Sequence, residues 1–239
     1  MQITVREACE LLNLSEPVLY RLVRRKEIPA YSINKSYLFN RLEILEWAIT
    51  NNKYVSPQVL KAFSHSITQP PSIAEALQTG GIHYSVPGSA KKEVLQEIVQ
   101  RIPASAAPEL DREALFSALI ARETLGSTAI GNGIAIPHVR NPIVLDVEKP
   151  LIVLCFLKNK IDFDALDGKP VDTIFILVST TVRVHLHILA HLSFLLQSDE
   201  VKQALHQRMD TAALLEIIIK SENTISRHSD SNTDNRRKK

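Results

Sequence analysis

Ser127-Thr128-Ala129-Ile130-Gly131-Asn132-Gly133-Ile134-Ala135-Ile136-Pro137-His138-Val139-Arg140 is the stretch around which this chain is organised. Gly131 and Gly133 bracket a polar turn, because glycine adopts backbone conformations that other residues avoid. The apolar run from Ile134 to Ile136 is typical of a short buried strand, and a proline fixes φ immediately before the histidine. The pattern therefore predicts that His138 is held stiffly at the end of a strand.

The composition limits the class of protein. Of 239 residues, 45% are hydrophobic, so a substantial core is expected, and the formal net charge of +2 means that any nucleic-acid contact needs a local basic patch. Cys9 and Cys155 lie far apart in apolar segments, which excludes a disulfide framework and fits a reducing compartment. No apolar run approaches the ~18–20 residues of a membrane helix, and the N-terminus lacks a signal-peptide pattern. We therefore expect a cytoplasmic protein without a membrane span.

Residues 1–52 have the pattern of two short helices, a hairpin and a third helix. Thr4-Val5-Arg6-Glu7 has capping-box spacing, and Ser15 is a suitable N-cap for a second helix that follows a tight turn. Ala30 to Phe39 alternates like a small hairpin, and Leu42 to Ile49 closes the unit as a helix. The segment therefore predicts a helix-turn-helix unit with a hairpin wing.

This segment resembles the excisionase-type winged helix-turn-helix domains. In such domains the second helix enters the major groove and the hairpin touches the DNA backbone. Residues 1–50 contain seven Lys/Arg and six Glu, so a merely solvated charged surface is the alternative interpretation. The resemblance rests on Val5-Arg6-Glu7-Ala8, Leu11-Leu12, Leu14-Ser15, Val18-Leu19-Tyr20-Arg21-Leu22, Ile28-Pro29-Ala30-Tyr31 and Phe39-Asn40-Arg41. The DNA contacts that it implies are Tyr20, Arg21, Arg24, Arg25, Lys26 and Lys35.

The remainder of the chain divides into a linker, an α/β domain and a tail. Residues 53–80 are proline-containing and polar, and predict a linker with a short helix near Val59 to Phe63 and a helical turn from Ile73. Residues 81–221 alternate strands with helices, and residues 222–239 are polar and predict a disordered tail. The predicted strands are 82–86, 151–157 and 173–178, and the predicted helices are 91–101, 112–123, 184–196, 199–207 and 211–220.

Residues 82–220 resemble the enzyme IIA domains of the bacterial sugar phosphotransferase system, in the fructose/mannitol superfamily and its nitrogen-regulatory branch. The resemblance implies a mixed sheet flanked by helices and a phosphoryl group accepted on His138 from a phosphohistidine carrier protein. It also implies active-site roles for His185 and Arg122. The matching residues are Arg122-Glu123, Gly126-Ser127-Thr128, Ile130 through His138, Phe163 through Val171, and His185-Leu186-His187 with Leu189.

These residue types suit phosphoryl exchange. Neutral imidazole, with an unperturbed pKa of ~6.5, is a good nitrogen nucleophile at neutral pH. Arg122, His185 and a phosphoryl-binding loop formed by Gly131, Asn132 and Gly133 are expected to neutralise the transferred group, without a metal or another cofactor. A carboxylate is expected to fix the tautomer of the histidine. The candidates for that carboxylate are Asp162, Asp164 and Asp167, among which the sequence does not choose.

Two departures from the family pattern bear on function. Val139 stands where the broad family often has glycine, and a β-branched residue there either restricts access or extends the strand. Asn132 stands where the mannitol branch has glutamate, and no transport domain is fused, which favours signalling over sugar uptake. His187 and His191 have the spacing of a metal-ligand pair, but no third ligand can be named, so no metal is predicted.

The leading hypothesis is a regulatory phosphohistidine protein in signal transduction, in which phosphorylation of His138 is coupled to DNA binding. A second hypothesis is an interaction protein that regulates partner proteins according to its phosphorylation state, with the N-terminal unit serving docking or homodimerisation. A third is a sensor that is not phosphorylated, which the Val139 departure leaves open.

Overall fold

The structure, a computed structural model, describes residues 2–33, 36–50, 70–139 and 147–234. Lys35, Arg140 and the predicted short helix near Val59 lie outside the described residues. The described part forms an N-terminal unit with a three-stranded sheet and a larger α/β unit with a five-stranded mixed sheet flanked by helices. Both features confirm the predicted fold class.

The N-terminal unit is stabilised by local signals that the sequence carries. The Thr4 hydroxyl accepts a hydrogen bond from the Glu7 N–H (3.3 Å), and the Glu7 carboxylate accepts one from the Thr4 N–H (2.8 Å), so the predicted capping box is formed. Asn13 ends the first helix with a φ of 51°, a left-handed conformation that asparagine tolerates. The elements are β1 (Gln2–Thr4), α1 (Val5–Leu12), α2 (Glu16–Arg24), β2 (Tyr31–Ile33), β3 (Ser36–Asn40) and α3 (Arg41–Thr50).

The wing has one strand more than the sequence predicts. β2 and β3 pair antiparallel as the expected hairpin, and β1 pairs antiparallel with the other edge of β3. β1 has only three residues, too few to show the alternation that identifies a strand in a sequence. Through this pairing, residues 2–4 form part of the wing sheet.

The α/β unit begins with the short helix Ile73–Gly80 and ends with the long helix Thr211–Asp234. The predicted helices 91–101 and 112–123 have the predicted bounds. The elements are α4 (Ile73–Gly80), β4 (Ile82–Val86), α5 (Lys91–Arg101), α6 (Arg112–Glu123), β5 (Ala129–Gly131), β6 (Ile134–Ala135), β7 (Leu151–Ile161), β8 (Val171–Val178), α7 (Val182–Leu195), α8 (Asp199–His206) and α9 (Thr211–Asp234).

The five-stranded sheet has the order β4-β7-β8-β6-β5. β4 is parallel to β7 and β6 is parallel to β8, whereas the pairs β7–β8 and β5–β6 are antiparallel. Alternate side chains of the apolar run 151–157 enter two different cores, one shared with α5 and α6 and the other with α4, α7, α8 and α9. The run is therefore buried on both faces, as its composition predicts.

The folded α/β unit starts earlier than residue 81. Ile73 and Leu77 of α4 are fully buried in the core beside β7. A Cβ at Gly80 would lie 2.2 Å from the backbone oxygen of Ile152, so only glycine permits this close approach of helix and strand. The predicted linker, residues 53–80, thus ends in a helix of the core.

The predicted disordered tail is also corrected. α9 continues to Asp234, and Glu222 of α9 accepts hydrogen bonds from the first N–H groups of α4. The polarity of this segment indicated disorder, but at residue 222 a carboxylate serves as a helix cap. Residues 235–239 lie outside the described residues.

Candidate functional site

His138 follows β6 and continues its pairing with β8. It forms a parallel bridge with Leu177, whose N–H donates to the carbonyl of Pro137 (3.2 Å). The histidine is 4% exposed. The structure therefore holds His138 at the end of a short strand, in the manner that the sequence predicts.

The hydrogen bond of the His138 ring identifies its nucleophilic atom. Nδ1 lies 2.7 Å from the backbone oxygen of Ile136. A carbonyl oxygen only accepts hydrogen bonds, so Nδ1 carries the proton of the neutral ring and Nε2 carries the lone pair. Nε2 is therefore the atom that can attack phosphorus.

The expected carboxylate partner of His138 is replaced by this carbonyl. Asp162 accepts from the backbone N–H of Asp164, and Asp164 pairs with Lys91 (2.9 Å). Asp167 accepts from the backbone N–H groups of Asn132 (2.8 Å) and Lys169 (3.1 Å). These carboxylates have local structural roles.

His185, on α7, lies beside His138. The two ring centroids are 5.1 Å apart and the ring planes are inclined by 44°. His185 is fully buried, and its Nδ1 is 3.4 Å from the hydroxyl of Ser179, which is also fully buried. The structure thus brings together the two histidines that the resemblance pairs.

Sequence reasoning missed Ser179. It lies directly after β8 and two residues before Thr181, the N-cap of α7. Polar residues between a buried strand and a helix are a usual location for functional side chains, and that position was the available signal. Ser179 orients the ring of His185.

Arg122 is at the C-terminal end of α6 and is 9% exposed. Its Nη1 donates to the backbone oxygen of Gly126 (3.0 Å), which fixes the guanidinium under the turn that leads to β5. The neighbouring Glu123 accepts from the hydroxyl of Thr128 (2.6 Å) and pairs with Lys91 (3.1 Å). This network connects the end of α6 rigidly to the start of the His138 stretch.

Lys91 is the cation of that network. Burial lowers its pKa, but the hydrogen bonds and negative charges of Asp164 and Glu123 outweigh burial, so the net effect is a raised pKa. Lys91 is therefore a fixed positive charge.

The predicted phosphoryl-binding loop is not beside His138. Gly131, Asn132 and Gly133 form the turn between β5 and β6, with φ values of 88°, 53° and 77°. Ile134 pairs with Thr173 of β8, whereas His138 pairs with Leu177, and four residues of strand span about 13 Å. The N–H of Asn132 is already donated to Asp167. The strand register therefore places residues 131–133 away from His138, in contrast to the predicted phosphoryl-binding role. The positive φ values of these residues form the hairpin turn.

The predicted DNA contacts within the described residues are all exposed, namely Tyr20, Arg21, Arg24, Arg25 and Lys26. Arg24 lies next to both Tyr20 and Arg21 on the surface of α2, because it is four residues after the first and three after the second. The ring of Tyr20 packs against Tyr37 of β3, with centroids 6.0 Å apart, so α2 and the wing form a continuous surface. Arg25 forms an exposed ion pair with Glu27 (3.7 Å).

His187 and His191 contact each other on α7, with ring centroids 4.0 Å apart. His187 Nε2 lies 3.2 Å from the carbonyl of Pro71, and His191 Nδ1 lies 2.9 Å from the carbonyl of His187. Within the ranges that the structure describes, no group of three or more His, Cys, Asp or Glu side chains is placed to hold a metal ion. The pair is part of the packing of α7 against the segment that precedes α4.

Comparisons with known proteins identify both units. Residues 75–221 match the family described as "Phosphoenolpyruvate-dependent sugar phosphotransferase system, EIIA 2". The chain belongs to this family. Residues 3–51 match the family described as "Helix-turn-helix domain". Both resemblances inferred from the sequence motifs are thereby confirmed.

Several relatives are nitrogen regulatory proteins. The nitrogen regulatory protein of Pseudomonas aeruginosa is 37% identical over 153 residues, which are 63% of this chain and 97% of the relative. That of Escherichia coli is 34% identical over 137 residues, which are 56% of this chain and 82% of the relative. The crystal structure of nitrogen regulatory protein IIA-Ntr from Neisseria meningitidis is similar with a TM-score of 0.53 and 30% identity, covering 61% of this chain and 98% of that one.

These matches connect the chain to regulation linked to phosphoryl transfer. They span nearly the whole length of the Pseudomonas and Neisseria proteins, while the helix-turn-helix unit lies outside the matched family region of residues 75–221. Across the described residues, no helix combines the length and apolarity that crossing a membrane requires.

Proposed function

We propose that this chain is a cytoplasmic regulatory phosphotransfer protein that accepts a phosphoryl group on His138 from a phosphohistidine carrier protein. In this proposal the phosphorylation state controls DNA binding by the helix-turn-helix unit. The observation that carries the proposal is the pairing of His138 with His185, in which a backbone carbonyl directs the lone pair of His138 to Nε2. Membership in the EIIA 2 family supports it.

The transfer step is a nucleophilic displacement at phosphorus. Nε2 of His138 forms a bond to phosphorus while the bond between phosphorus and the carrier's imidazole breaks, and the carrier's ring, protonated at its other nitrogen, leaves as neutral imidazole. The phosphorylated ring of His138 keeps its Nδ1 proton, so the hydrogen bond to Ile136 becomes charge-assisted and stronger. No oxidant, metal or net proton release is needed.

The neighbouring side chains have distinct roles in this proposal. Arg122 supplies a buried positive charge against the negative charge spread over the phosphoryl oxygens. His185 donates a hydrogen bond to a phosphoryl oxygen, and Ser179 is a positioning residue that holds its ring. The predicted loop 131–133 has no part in this step.

The residue after the histidine supports competence for transfer. Val139 is 2% exposed and belongs to the core shared with α5 and α6. Its side chain therefore extends the strand and does not restrict the approach to His138. This favours phosphotransfer over a sensor that is not phosphorylated.

The exposed face of α2 supports DNA as the regulated partner. Tyr20, Arg21 and Arg24 are exposed together beside the wing, the arrangement that a helix in a major groove needs. The second candidate, regulation of partner proteins with the N-terminal unit serving docking or homodimerisation, would use the same exposed face without base contacts.

Phosphorylation by a carrier tests the proposal directly. The full chain is mixed with a phosphotransferase carrier protein labelled on histidine, and we expect label that is labile in acid and stable in base. His138→Ala should abolish the label, while His206→Ala, at an exposed histidine of α8, should retain it. Label that persists in His138→Ala would refute the assigned phosphoryl acceptor.

A further inference from the structure

Helix α3 of the N-terminal unit packs onto the elements that hold the phosphoryl-accepting site. It contacts α7, which carries His185, and β5, which leads through the β5–β6 hairpin to His138. Leu186 of α7 is 6% exposed and belongs to the apolar cluster of the N-terminal unit, and Val182 packs against the same cluster. The residue next to His185 is thus buried by the helix-turn-helix unit.

β5 is the edge strand of the five-stranded sheet. An edge strand offers unpaired backbone groups to any incoming chain, and proteins commonly cover such edges. Here α3 lies against β5, so the same helix covers the sheet edge and the adjacent end of α7. The covered surface is continuous across both elements.

The reacting atoms are inaccessible in this arrangement. Nε2 of His138, Nε2 of His185 and Nε of Arg122 each have less than 1 Å² of accessible surface. Transfer requires the donor's phosphorus to come within about 3–3.5 Å of Nε2 in line with the breaking bond. A carrier protein cannot deliver its phosphohistidine to this buried atom unless the covering element moves.

We propose that the N-terminal unit is a movable cover of the phosphoryl-accepting site, and that α3 and the carrier protein compete for one surface. The inference rests on the proposed function, because it gives the surface by which phosphorylation of His138 reaches the helix-turn-helix unit. The nitrogen regulatory relatives are matched over 97% and 98% of their own lengths by 63% and 61% of this chain, and the EIIA 2 family region is residues 75–221. The cover therefore belongs to the N-terminal addition.

The phosphoryl group makes the competition reciprocal. It adds a charge of about −2 spread over three strongly hydrated oxygens, beside the protonated ring of His138 and the cation of Arg122. Closing α3 over the site would remove water from these oxygens next to Leu186 and its apolar neighbours, which is unfavourable. Phosphorylation therefore favours release of α3, and by thermodynamic linkage a closed α3 disfavours phosphorylation.

The cover can be tested without phosphoryl transfer. Diethyl pyrocarbonate modifies accessible imidazole nitrogens, and mass spectrometry gives the rate at each histidine of the full chain. In the unsubstituted protein we expect His138 to react at least about tenfold more slowly than the exposed His206, since reaction at a buried atom requires a minor open state. His187, which is 4% exposed, reports whether the α/β unit remains folded.

Two substitutions loosen the packing from the α7 side. Val182→Glu places a carboxylate in the first turn of α7, where the helix dipole tolerates it, but against the apolar cluster of the N-terminal unit. Leu186→Ser removes a buried side chain of the same cluster. The matched control is Leu166→Glu, in a loop position that is 71% exposed.

We expect His138 to react about tenfold faster in Val182→Glu and Leu186→Ser than in Leu166→Glu. A tenfold change corresponds to a weakening of the packing by ~1.4 kcal/mol. His187 should remain protected in all three variants. If His187 also reacts in Val182→Glu, that variant has partly unfolded, and the rate at His138 in Leu186→Ser is then the test of the cover. The cover is overturned if His138 of the unsubstituted protein reacts with diethyl pyrocarbonate as fast as His206. It is also overturned if the rate at His138 is unchanged in a variant whose His187 remains protected.

Labelling by the phosphorylated carrier separates this inference from the proposed function. The same two variants should accept label about tenfold faster than Leu166→Glu. If the variants expose His138 to diethyl pyrocarbonate but no protein accepts label, the proposed function fails and the cover stands. Equal labelling rates in all proteins, together with a reactive His138, would keep the proposed function and overturn the cover.

Discussion

Glu222 of the last helix accepts hydrogen bonds from the backbone N–H groups of Ile73 (2.6 Å) and Ala74 (3.1 Å), 149 and 148 residues earlier in the chain. Ser72 and Glu75 form a capping box at the same helix start. The first N–H groups of α4 are therefore satisfied by two caps, one local and one from the far end of the chain. Burial raises the pKa of Glu222, and the two N–H donors oppose that effect.

Replacing Glu222 should destabilise the α/β unit. Glu222→Ala leaves two N–H groups of a partly buried helix start without acceptors, which we expect to lower the free energy of unfolding by about 1–3 kcal/mol. Glu222→Gln keeps one acceptor oxygen and should lose less. Urea unfolding measures both, with Glu216→Ala, an exposed position of the same helix, as the control. Equal stability of Glu222→Ala and Glu216→Ala would show that the long-range cap contributes nothing.

The stability of the chain should fall as pH decreases from about 6.5 to 4. Burial, followed by the nearby His191, lowers the pKa of His187 from 6.5 to about 4. In that window the unfolded chain binds the proton and the folded chain does not, so stability rises with pH and is lost on acidification. The loss attributable to His187 is at most about 3 kcal/mol.

Substitution isolates this contribution. The difference in unfolding free energy between about pH 7.5, above the window, and about pH 4.5, near its lower end, should be smaller in His187→Asn than in the unsubstituted protein. The exposed His206→Asn should leave that difference unchanged. Identical pH dependence in all three proteins would contradict the assignment to His187.

Arg122→Ala should slow phosphoryl transfer to His138 by about 10²–10³-fold, the effect of removing one preorganised charge from the reacting group. Arg112→Ala is a demanding control, because Arg112 begins the same helix and also donates to backbone carbonyls, those of Val99 (2.6 Å) and Ile102 (2.7 Å). It should cost stability without slowing transfer specifically. Single-turnover labelling together with thermal unfolding separates the two effects. An unchanged transfer rate in Arg122→Ala would remove Arg122 from the mechanism.

DNA binding should depend on the exposed face of α2. Replacing Arg21 and Arg24 by Ala should lower affinity for duplex DNA, and the slope of log affinity against log salt should fall by about 1 for each phosphate that is no longer neutralised. Arg6→Ala is the control, because Arg6 is an 85%-exposed arginine of α1 paired with Glu10. Equal effects of all three substitutions would indicate only unspecific attraction. The probe is a duplex of random sequence, followed by selection for a preferred site.

Much of the fold was predictable because its signals are local. The capping box at Thr4, the helices 91–101 and 112–123, and the doubly buried run 151–157 follow from residue spacing alone. What escaped prediction depends on distant partners. The end of α9 is polar, and at Glu222 the helix is held by hydrogen bonds to α4. Three-residue strands such as β1 and β5 are set by the strands beside them.

The sequence predicted which histidines form the candidate site better than it predicted which groups surround them. His138 and His185 were named from motifs, and the structure brings their rings together. The glycine turn was the most conspicuous motif, yet strand register places it away from His138. The carbonyl of Ile136 was missed because a backbone oxygen has no sequence signature, and Ser179 was missed because its only signal is its position between β8 and α7.

The hydrogen bond from His138 to the carbonyl of Ile136 has a consequence for acid sensitivity. A carboxylate partner would itself become protonated in mildly acidic solution and would then release the ring. An amide oxygen does not ionise over the pH range in which proteins are folded, so the ring keeps one orientation throughout. The lone pair of the neutral ring therefore stays on Nε2 whether or not nearby carboxylates become protonated.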